Sequence, residues 1–410
     1  MRLLVVTQYF WPENFRINDL VSELVKRGHH VTVLTGRPNY PEGKVFPDFA
    51  ANPNAYKEFN GVKIIRVPML SRGTGSLRLA LNYLSFALSS SLMAPFFLRG
   101  MQFDVIFAYQ LSPVTVGIPA ALMRAIKKAP LIFWVLDLWP ETIEALNITR
   151  SKLILQILRM LVRYIYKHCD LILTQSKSFI PKIRQYAGDS AHIEYFPSWS
   201  DVIFSGEEMG AAPEILSDPK NFNIMFTGNI GEAQDFPAII EAAAILKNHE
   251  NIRWLIVGGG REEKWVRDEI QKQGLNHCFI LLGRFPIERM PSFLMHADAL
   301  LVSLKKDPIF SMTIPGKLQS YLAAGIPILA MLDGEGSKII ESSGAGIACP
   351  SGDYRALAEC ALHISQLSLE ERRAMGERAA AISSSEFDRD KLIGNLEKWL
   401  ELKRNDFFSS

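Results

Sequence analysis

The sequence predicts an α/β protein with two Rossmann-like, doubly wound domains. Three observations favour this fold. The 410 residues exceed what one hydrophobic core usually fills, short apolar runs alternate with helical patterns in both halves, and this periodicity is lost over residues 198–221. We therefore expect an N-terminal domain at 1–197, a linker at 198–221, a C-terminal domain at 222–383 and a last helix at 384–405.

In the first domain, the initial apolar run is followed by a helical pattern at Ile17, Leu20, Val21, Leu24 and Val25, which Gly28 ends. The alternation of such patterns with apolar runs predicts a mostly parallel sheet. The strands are predicted at 2–7, 31–35, 62–67, 105–109, 131–136 and 171–174.

The second domain repeats the alternation. Its strands are predicted at 224–227, 252–257, 279–282, 299–303 and 328–331, and its helices at 237–247, 262–273, 287–296 and 317–324. Residues 353–405 are charged and helix-prone. They end in a helix with one apolar face, which needs a surface to pack on: Leu392, Ile393, Leu396, Trp399 and Leu400.

Cysteine usage and charge limit the location and the partners. Four cysteines without metal-ligand spacing predict reduced thiols in the cytoplasm, and the N-terminus is predicted as a strand because it lacks the cleavage site of a secretory signal. Residues 1–200 carry 23 Lys and Arg against 13 Asp and Glu, whereas 201–410 carry 22 against 30. The basic half should face an anionic partner. Nucleic acid is excluded because the basic residues are interleaved with long aliphatic runs and the second half is acidic.

Two segments could meet a membrane. Residues 77–98 are long and apolar enough to span one, but they contain Asn82 and Pro95 and lie between strands of one predicted sheet. We expect either a buried helix or an amphipathic helix in the membrane plane. Residues 150–167 place three basic residues beside apolar ones, which is typical of a monotopic helix or of a solvated helix face.

Three segments of the second domain are candidate anion sites. Gly228 and Asn229 follow one strand, and Gly259 and Arg261 follow the next, without a full GxGxxG spacing. The third candidate, Pro315-Gly316-Lys317-Leu318, opens a helix. Its free N–H groups beside an ammonium suit a diphosphate, although Lys317 could also be a surface lysine in the first turn.

In the first domain, Glu13 and Arg16 are predicted at the mouth of a ligand cleft, after the first strand. Asp137 follows a later strand and is the best-placed carboxylate, with helix capping as its alternative role. The histidines have no spaced ligand partners. We therefore expect no metal and no cofactor.

Several motifs together resemble the retaining glycosyltransferase family 4. They are YFWPE (9–13), KRGHHVTVLT (26–35), DLWPET (137–142), FTGNIG (226–231) and PGKLQSYLAAGIPILA (315–330). GNIGEAQDF, DLWPE and ILAMLDGEG are in addition similar to a bacterial branch of amino-sugar transferases, typified by N-acetylfucosamine transferases of O-antigen and capsule assembly.

The resemblance implies the GT-B architecture, in which two Rossmann-like domains face each other across a cleft and a C-terminal helix crosses back to the N-terminal domain. The second domain would bind a UDP-sugar without a metal, and the first would bind a polyprenyl-diphosphate-linked saccharide at the inner face of the cytoplasmic membrane. Transfer would retain the anomeric configuration. A GT-B UDP-amino-sugar epimerase and an inactive nucleotide-sugar-binding subunit are the alternatives.

The motif positions and strand ends together give a candidate site. Asp137 and Lys317 are the catalytic candidates, and the acceptor-binding candidates are Glu13, Asn14, Arg16 and Trp139. The donor-binding candidates are Gly228, Asn229, Gln234, Gly259, Arg261, Arg284, Pro315, Gly316, Leu318 and Ser320.

The sequence departs from the family pattern around the donor. The family's two glutamates fall at Met312 and Ser320, and its diphosphate-gripping Arg and Lys fall at Asn229 and Gln234. Lys317, Arg261 and backbone N–H groups are therefore the remaining candidates for the diphosphate.

Overall fold

The computed structural model describes residues 1–73, 75–145, 148–200, 210–216 and 218–409. The chain divides into two units, one formed by Met1–Pro197 with Asp390–Ser410 and the other by Ser198–Arg389. Each unit contains one sheet with helices on its faces.

The first unit has an eight-stranded sheet in the order β3-β4-β2-β1-β5-β6-β7-β8. All neighbouring strands are parallel except β3 and β4. The strands are β1 (Arg2–Val6), β2 (His30–Thr35), β3 (Glu58–Phe59), β4 (Val62–Arg66), β5 (Val105–Gln110), β6 (Leu131–Val135), β7 (Leu171–Thr174) and β8 (Ile193–Tyr195). Every residue of β5 and β6 is buried, as expected for parallel strands covered on both faces.

The helices of the first unit connect these strands. They are α1 (Arg16–Lys26), α2 (Pro47–Ala51), α3 (Ser76–Phe97), α4 (Gly117–Lys127), α5 (Glu141–Ala145), α6 (Lys152–Lys167) and α7 (Ile180–Ala187). Four of the five residues that predicted α1 are buried, and Val25 is partly exposed, so this helix follows its sequence pattern.

Helix α3 is only partly buried. It is long and apolar enough to cross a membrane by length and composition, and 33% of its most apolar window is buried within the chain. Asn82, Tyr83 and Phe86 lie on the buried face, whereas Leu77 and Leu92 are 74% and 69% exposed. The structure therefore differs from a fully buried helix, because one apolar face has no partner within the described residues.

The second unit has a six-stranded parallel sheet in the order β11-β10-β9-β12-β13-β14. Its strands are β9 (Phe222–Asn229), β10 (Ile252–Gly259), β11 (Phe279–Gly283), β12 (Ala299–Ser303), β13 (Ile328–Met331) and β14 (Gly346–Cys349). Its helices are α8 (Phe236–Ile245), α9 (Glu263–Lys272), α10 (Met290–Leu294), α11 (Pro308–Met312), α12 (Gly316–Ala324), α13 (Glu335–Ser343), α14 (Tyr354–Gln366) and α15 (Leu369–Glu386).

Part of the predicted linker packs on the second unit. The backbone N–H of Ala212 donates to the carbonyl of Ser292 at 3.0 Å, and Arg289 pairs with Glu214 at 2.9 Å. Residues 201–209 and 217 of the predicted linker lie outside the described residues. The described part of the linker thus contacts the second unit, where Ala212 and Ile215 are buried, whereas Leu216 is 84% exposed.

The last helix, α16 (Arg389–Ser409), belongs to the first unit. It buries Leu392, Ile393, Leu396 and Leu400, and the ring of Trp399 meets that of Phe196 edge-on at 6.0 Å. Glu397 accepts hydrogen bonds from Arg27 at 3.1 Å and His29 at 2.8 Å. The helix starts five residues later than predicted, because α15 extends to Glu386.

Gly376 on α15 allows a close contact with α12. A Cβ at this position would lie 2.0 Å from the carbonyl oxygen of Gly325. Gly376→Ala should therefore push the two helices apart and lower the free energy of unfolding by about 1 to 3 kcal/mol, measured by urea denaturation. Gly394→Ala in α16 is the control, since its Cβ would meet nothing within 4 Å and should leave the protein as stable or slightly more stable. Equal stability of the two variants would contradict this packing.

Candidate nucleotide-sugar site

A pocket of about 440 Å³ opens at the carboxyl ends of β9 and β10. Such strand ends are the usual ligand sites of doubly wound sheets. The two strands approach closely there because Gly258, with φ +154°, has no Cβ; one would lie 1.8 Å from the carbonyl oxygen of Gly228. The lining residues are Thr227, Gly228, Asn229, Val257, Gly258, Gly259, Arg284, Phe285, Ile287 and Met290.

Lys317 lies beside this pocket, in the first turn of α12. Its Nζ lies 3.4 Å from the centroid of the Phe226 ring and 3.6 Å from where a Cβ on Gly228 would stand. The amine is buried and, among the described residues, has no hydrogen-bond partner. Burial lowers the pKa of Lys317 to about 7. The alternative of a surface lysine is therefore wrong.

An unpaired buried amine is costly, because a buried polar group normally has a partner and a buried charge needs a counter-charge. An anion in the pocket beside Gly228 would supply both. Phe226 stabilises the ammonium through its ring face, but a ring cannot accept a hydrogen bond as strongly as a phosphate oxygen does. The arrangement therefore suits a phosphate or diphosphate.

Some residues of the turn at the start of α12 are exposed and others are buried. Pro315 caps the helix in extended conformation, and Gly316 is exposed. Leu318 is fully buried, and its N–H donates to the carbonyl of Pro315 at 2.8 Å. The expectation that Leu318 contacts the donor is not met, because its side chain is in the core and its N–H is already used. Ser320 is partly exposed.

The cation at the rim of the pocket is Arg284. A Cβ on Gly259 would lie 2.5 Å from its Nε and 2.7 Å from the Glu263 carboxylate, so both side chains reach the end of β10. Arg261 is exposed, and the guanidinium that lines the pocket is that of Arg284. Asn229 and Gln234 face each other, with 3.5 Å between Nδ2 and Oε1.

Sequence reasoning missed several pocket residues. Phe285, Ile287 and Met290 form apolar surface around the backbone of the strand ends. Next to the pocket, the fully buried Phe226 contacts the amine of Lys317, and the Glu263 carboxylate lies near Gly259. The segment after β11, Gly-Arg-Phe-Pro at 283–286, is again a strand end. The same strand-end rule could therefore have found Phe285.

In the first unit, Glu13 has a structural role. It is 3% exposed, and its carboxylate accepts hydrogen bonds from the backbone N–H groups of Phe10 at 3.1 Å and of Asn39 and Tyr40 at 2.7 Å. Burial raises its pKa to about 7. The expected position at the mouth of a cleft is not observed, because Glu13 fastens two loops together.

Asp137 is also engaged within its own loop. Its carboxylate accepts from Thr142 Oγ1 at 2.5 Å and Trp139 Nε1 at 3.0 Å. Burial raises its pKa, while these bonds and others from Ser112 and the Leu138 backbone oppose the rise. Four donors match the lone pairs that a carboxylate offers. The structure therefore favours an anchoring role over contact with a ligand, as it does for the buried Trp139.

Asn14 and Arg16 remain accessible. Asn14 is exposed and Arg16 is partly exposed at the start of α1. The positive charge of Arg16 opposes the rise that burial causes in the pKa of Tyr109 at the end of β5. Across the described residues, no group of three or more His, Cys, Asp or Glu side chains could hold a metal ion.

Two family models match the chain. Residues 14–199 match a "Glycosyl transferase 4-like domain", and residues 211–381 match "Glycosyl transferases group 1". The chain is therefore a group 1 glycosyltransferase with a glycosyltransferase 4-like N-terminal domain.

Known proteins agree with this assignment. WcaI of Escherichia coli (strain K12), named as a glycosyl transferase of colanic acid biosynthesis, is 26% identical over 345 residues, 79% of this chain and 82% of WcaI. AmsK of Erwinia amylovora, an amylovoran biosynthesis glycosyltransferase, is 30% identical over 35% of this chain and 36% of AmsK. The crystal structure of HepE from Anabaena in complex with UDP and glucose has a TM-score of 0.67 at 15% identity, covering 98% of this chain and 99% of HepE. The predicted GT-B fold is confirmed.

The low pKa of Lys317 predicts a pH-dependent stability. The folded amine has a pKa of about 7 against an ordinary value of 10.5, so the unfolded chain binds more protons between these values and stability rises with pH there. Lys317→Met removes the charge. The variant should be more stable than the wild type at pH 6, and the difference should shrink towards pH 10, as measured by urea denaturation. A constant difference from pH 6 to pH 10 would contradict the buried, unpaired amine.

Proposed function

We propose that this protein transfers an N-acetylamino sugar, of the 6-deoxy type in the branch that the sequence resembles, from a UDP-sugar to a polyprenyl-diphosphate-linked saccharide. The observation that carries the proposal is the unpaired amine of Lys317 beside the glycine-lined pocket. The names of WcaI and AmsK, which refer to colanic acid and amylovoran, support a role in surface polysaccharide assembly such as O-antigen or capsule. HepE, solved with UDP and glucose, supports a uridine donor.

The diphosphate would lie between Lys317 and the ends of β9 and β10. Gly228 and Gly259 have no side chain, so the backbone at the two strand ends is accessible from the pocket. Arg284 supplies a second cation at the rim. The negative charge of the diphosphate would raise the pKa of Lys317, so that the amine is protonated in the complex. Lys317 and Arg284 would thus compensate for the family's Arg and Lys, which are Asn229 and Gln234 here.

The reaction we propose is a front-face transfer with retention. The bond between the anomeric carbon and the phosphate oxygen breaks, the acceptor oxygen bonds to the same face, and the acceptor proton passes to the departing phosphate. Charge develops on that phosphate, where the ammonium of Lys317 stabilises it without a metal ion.

Lys317→Met tests this role directly. The side chain keeps roughly its length but loses its charge. UDP should therefore raise the unfolding temperature of the variant less than that of the wild type in a thermal-shift assay. Turnover with the UDP-sugar should fall roughly 100- to 1000-fold. Lys272→Met is the matched control, because Lys272 is largely exposed at the last turn of α9 and pairs with Glu269.

The outcome separates the alternatives. Near-normal transfer by Lys317→Met would remove the assignment. Interconversion of UDP-amino sugars without an acceptor would identify an epimerase instead, and UDP-sugar binding without any transfer to lipid extracts would identify an inactive binding subunit.

We further propose that the protein acts in the cytoplasm and binds the inner face of the cytoplasmic membrane peripherally through α3 and α6. The exposed residues of α3 repeat every three or four positions and so share one face: Leu77, Leu81, Leu84, Leu88, Leu92 and Phe96. On α6, exposed apolar residues stand beside exposed basic ones: Leu153, Ile154, Ile157, Met160 and Tyr164 with Lys152, Arg163 and Lys167. Helix α4 packs against both α3 and α6, which supports placing the three helices in one layer.

Hydrogen bonds on the buried face of α3 argue against a membrane-spanning orientation. Asn82 accepts hydrogen bonds from Gln8 at 2.7 Å and Tyr9 at 2.9 Å, so the helix is fastened to the end of β1. A helix bound in this way along one side can insert its exposed leucines only in the plane of the interface. The basic residues of α6 add attraction to anionic headgroups.

The double variant Leu84→Gln, Leu88→Gln should weaken binding to vesicles that contain phosphatidylglycerol at least tenfold, because two apolar side chains no longer leave water. UDP binding should be unchanged. The control is Leu369→Gln in the second unit, whose side chain is 67% exposed on α15. Flotation assays in low and high salt would measure this, and equal binding by both variants would refute the membrane-facing role of α3.

A further inference from the structure

The turn between β4 and α3 contains an arginine whose charge is not neutralised. Arg72 is partly exposed, its backbone N–H donates to Asn39 Oδ1 at 2.9 Å, and its Cζ lies 5.2 Å from the centroid of the Tyr40 ring. Within the described part of the chain, Arg72 forms no ion pair with a carboxylate. The guanidinium is therefore oriented by an aromatic ring and remains able to bind an anion.

Two hydroxyl groups lie near this guanidinium. Burial raises the pKa of Tyr9 and of Tyr83, and the charge of Arg72 opposes the rise in both. Tyr83 also hydrogen-bonds with Ser112, which lines a small cavity between the carboxyl ends of β1 and β5. Arg72 is thus close to the edge of the sheet where ligands bind in this class of fold.

Two carboxylates of the same region, those of Glu13 and Asp137, are occupied elsewhere. Glu13 accepts hydrogen bonds from three backbone N–H groups, and Asp137 accepts from Thr142 and Trp139. Neither carboxylate is available to neutralise Arg72. The local charge therefore favours an external anion.

The turn that holds Arg72 is fastened to α3. The N–H of Leu70 donates to Ser85 Oγ at 3.0 Å, and Asn82 Nδ2 donates to the carbonyl of Leu70 at 2.5 Å. The exposed leucine face begins at Leu77, shortly after Arg72 in the chain. If that face lies in the membrane interface, Arg72 lies at the level of the phosphate groups.

We propose that Arg72 binds the diphosphate of the isoprenoid-linked acceptor. The planar guanidinium presents paired N–H donors that match phosphate oxygens, and Tyr40 orients it beneath the ligand. This inference rests on the proposed function, because that function supplies an acceptor with a diphosphate at the membrane surface. Free diphosphate shares the same chemistry and differs by lacking the isoprenoid chain.

Geranyl diphosphate is a suitable probe, and saturating UDP keeps it out of the donor pocket. Arg72→Gln should weaken its binding roughly 10- to 100-fold in titration calorimetry, since a charge-assisted bidentate contact is lost. Arg72→Lys should recover part of the affinity. Arg78→Gln is the matched control, because Arg78 is an exposed arginine at the start of the same helix and should leave binding unchanged. Unaltered thermal unfolding of each variant would show that the loss is local.

Two further arms identify the ligand. Geraniol should bind weakly and independently of Arg72, and inorganic diphosphate should bind more weakly than geranyl diphosphate. Equal losses in Arg72→Gln and Arg78→Gln would overturn the proposal, because the basic surface as a whole would then attract anions. Inorganic diphosphate binding as tightly as geranyl diphosphate would overturn the lipid-linked ligand. UDP binding and Lys317→Met test the donor function separately, so a failure of either proposal is recognisable.

Discussion

The buried amine of Lys317 on the face of Phe226 is the interaction on which the rest of the second unit's site depends. The amine reaches Gly228 only because α12 starts beside the ends of β9 and β10, and these strand ends meet closely only because Gly258 lacks a side chain. A charge in this position raises the energy of the empty protein and lowers that of a complex with an anion. The site is in this sense suited to an anionic ligand.

In the first unit, the two faces of α3 have different environments. One face of this helix carries Asn82 and Tyr83, which are hydrogen-bonded to the ends of β1 and to the segment after β5, and the other face exposes leucines. Under the proposed function, this helix would bring a lipid-linked acceptor close to the carboxyl ends of the strands. The loops after β1 and β6 are rigid for a different reason, because Glu13 and Asp137 bind backbone and side-chain donors within the first unit.

Some of the fold was readable from sequence, and the exceptions have physical causes. Strands β5, β6 and β12 are buried throughout, and β1 and β9 are buried along most of their length. These strands stand out in the sequence as apolar runs. In contrast, β3 and β8 are short and lie at the two edges of their sheet, and β14 contains small residues, so no hydrophobic run marks them. The described part of the predicted linker looked like coil because it has few apolar residues, yet Ala212 and Ile215 are buried against the second unit.

The sequence by itself determined the class of fold and the order of most strands and helices, because hydrophobic periodicity and turn residues are local properties. Tertiary structure alone decided which side chains are available. It buried Glu13 and Leu318, exposed Arg261 and placed Arg284 at the pocket. It also left Lys317 without a hydrogen-bond partner among the residues that the structure describes, and turned the leucines of α3 outward. Burial and pairing depend on residues far apart in the chain, so a local pattern does not contain them.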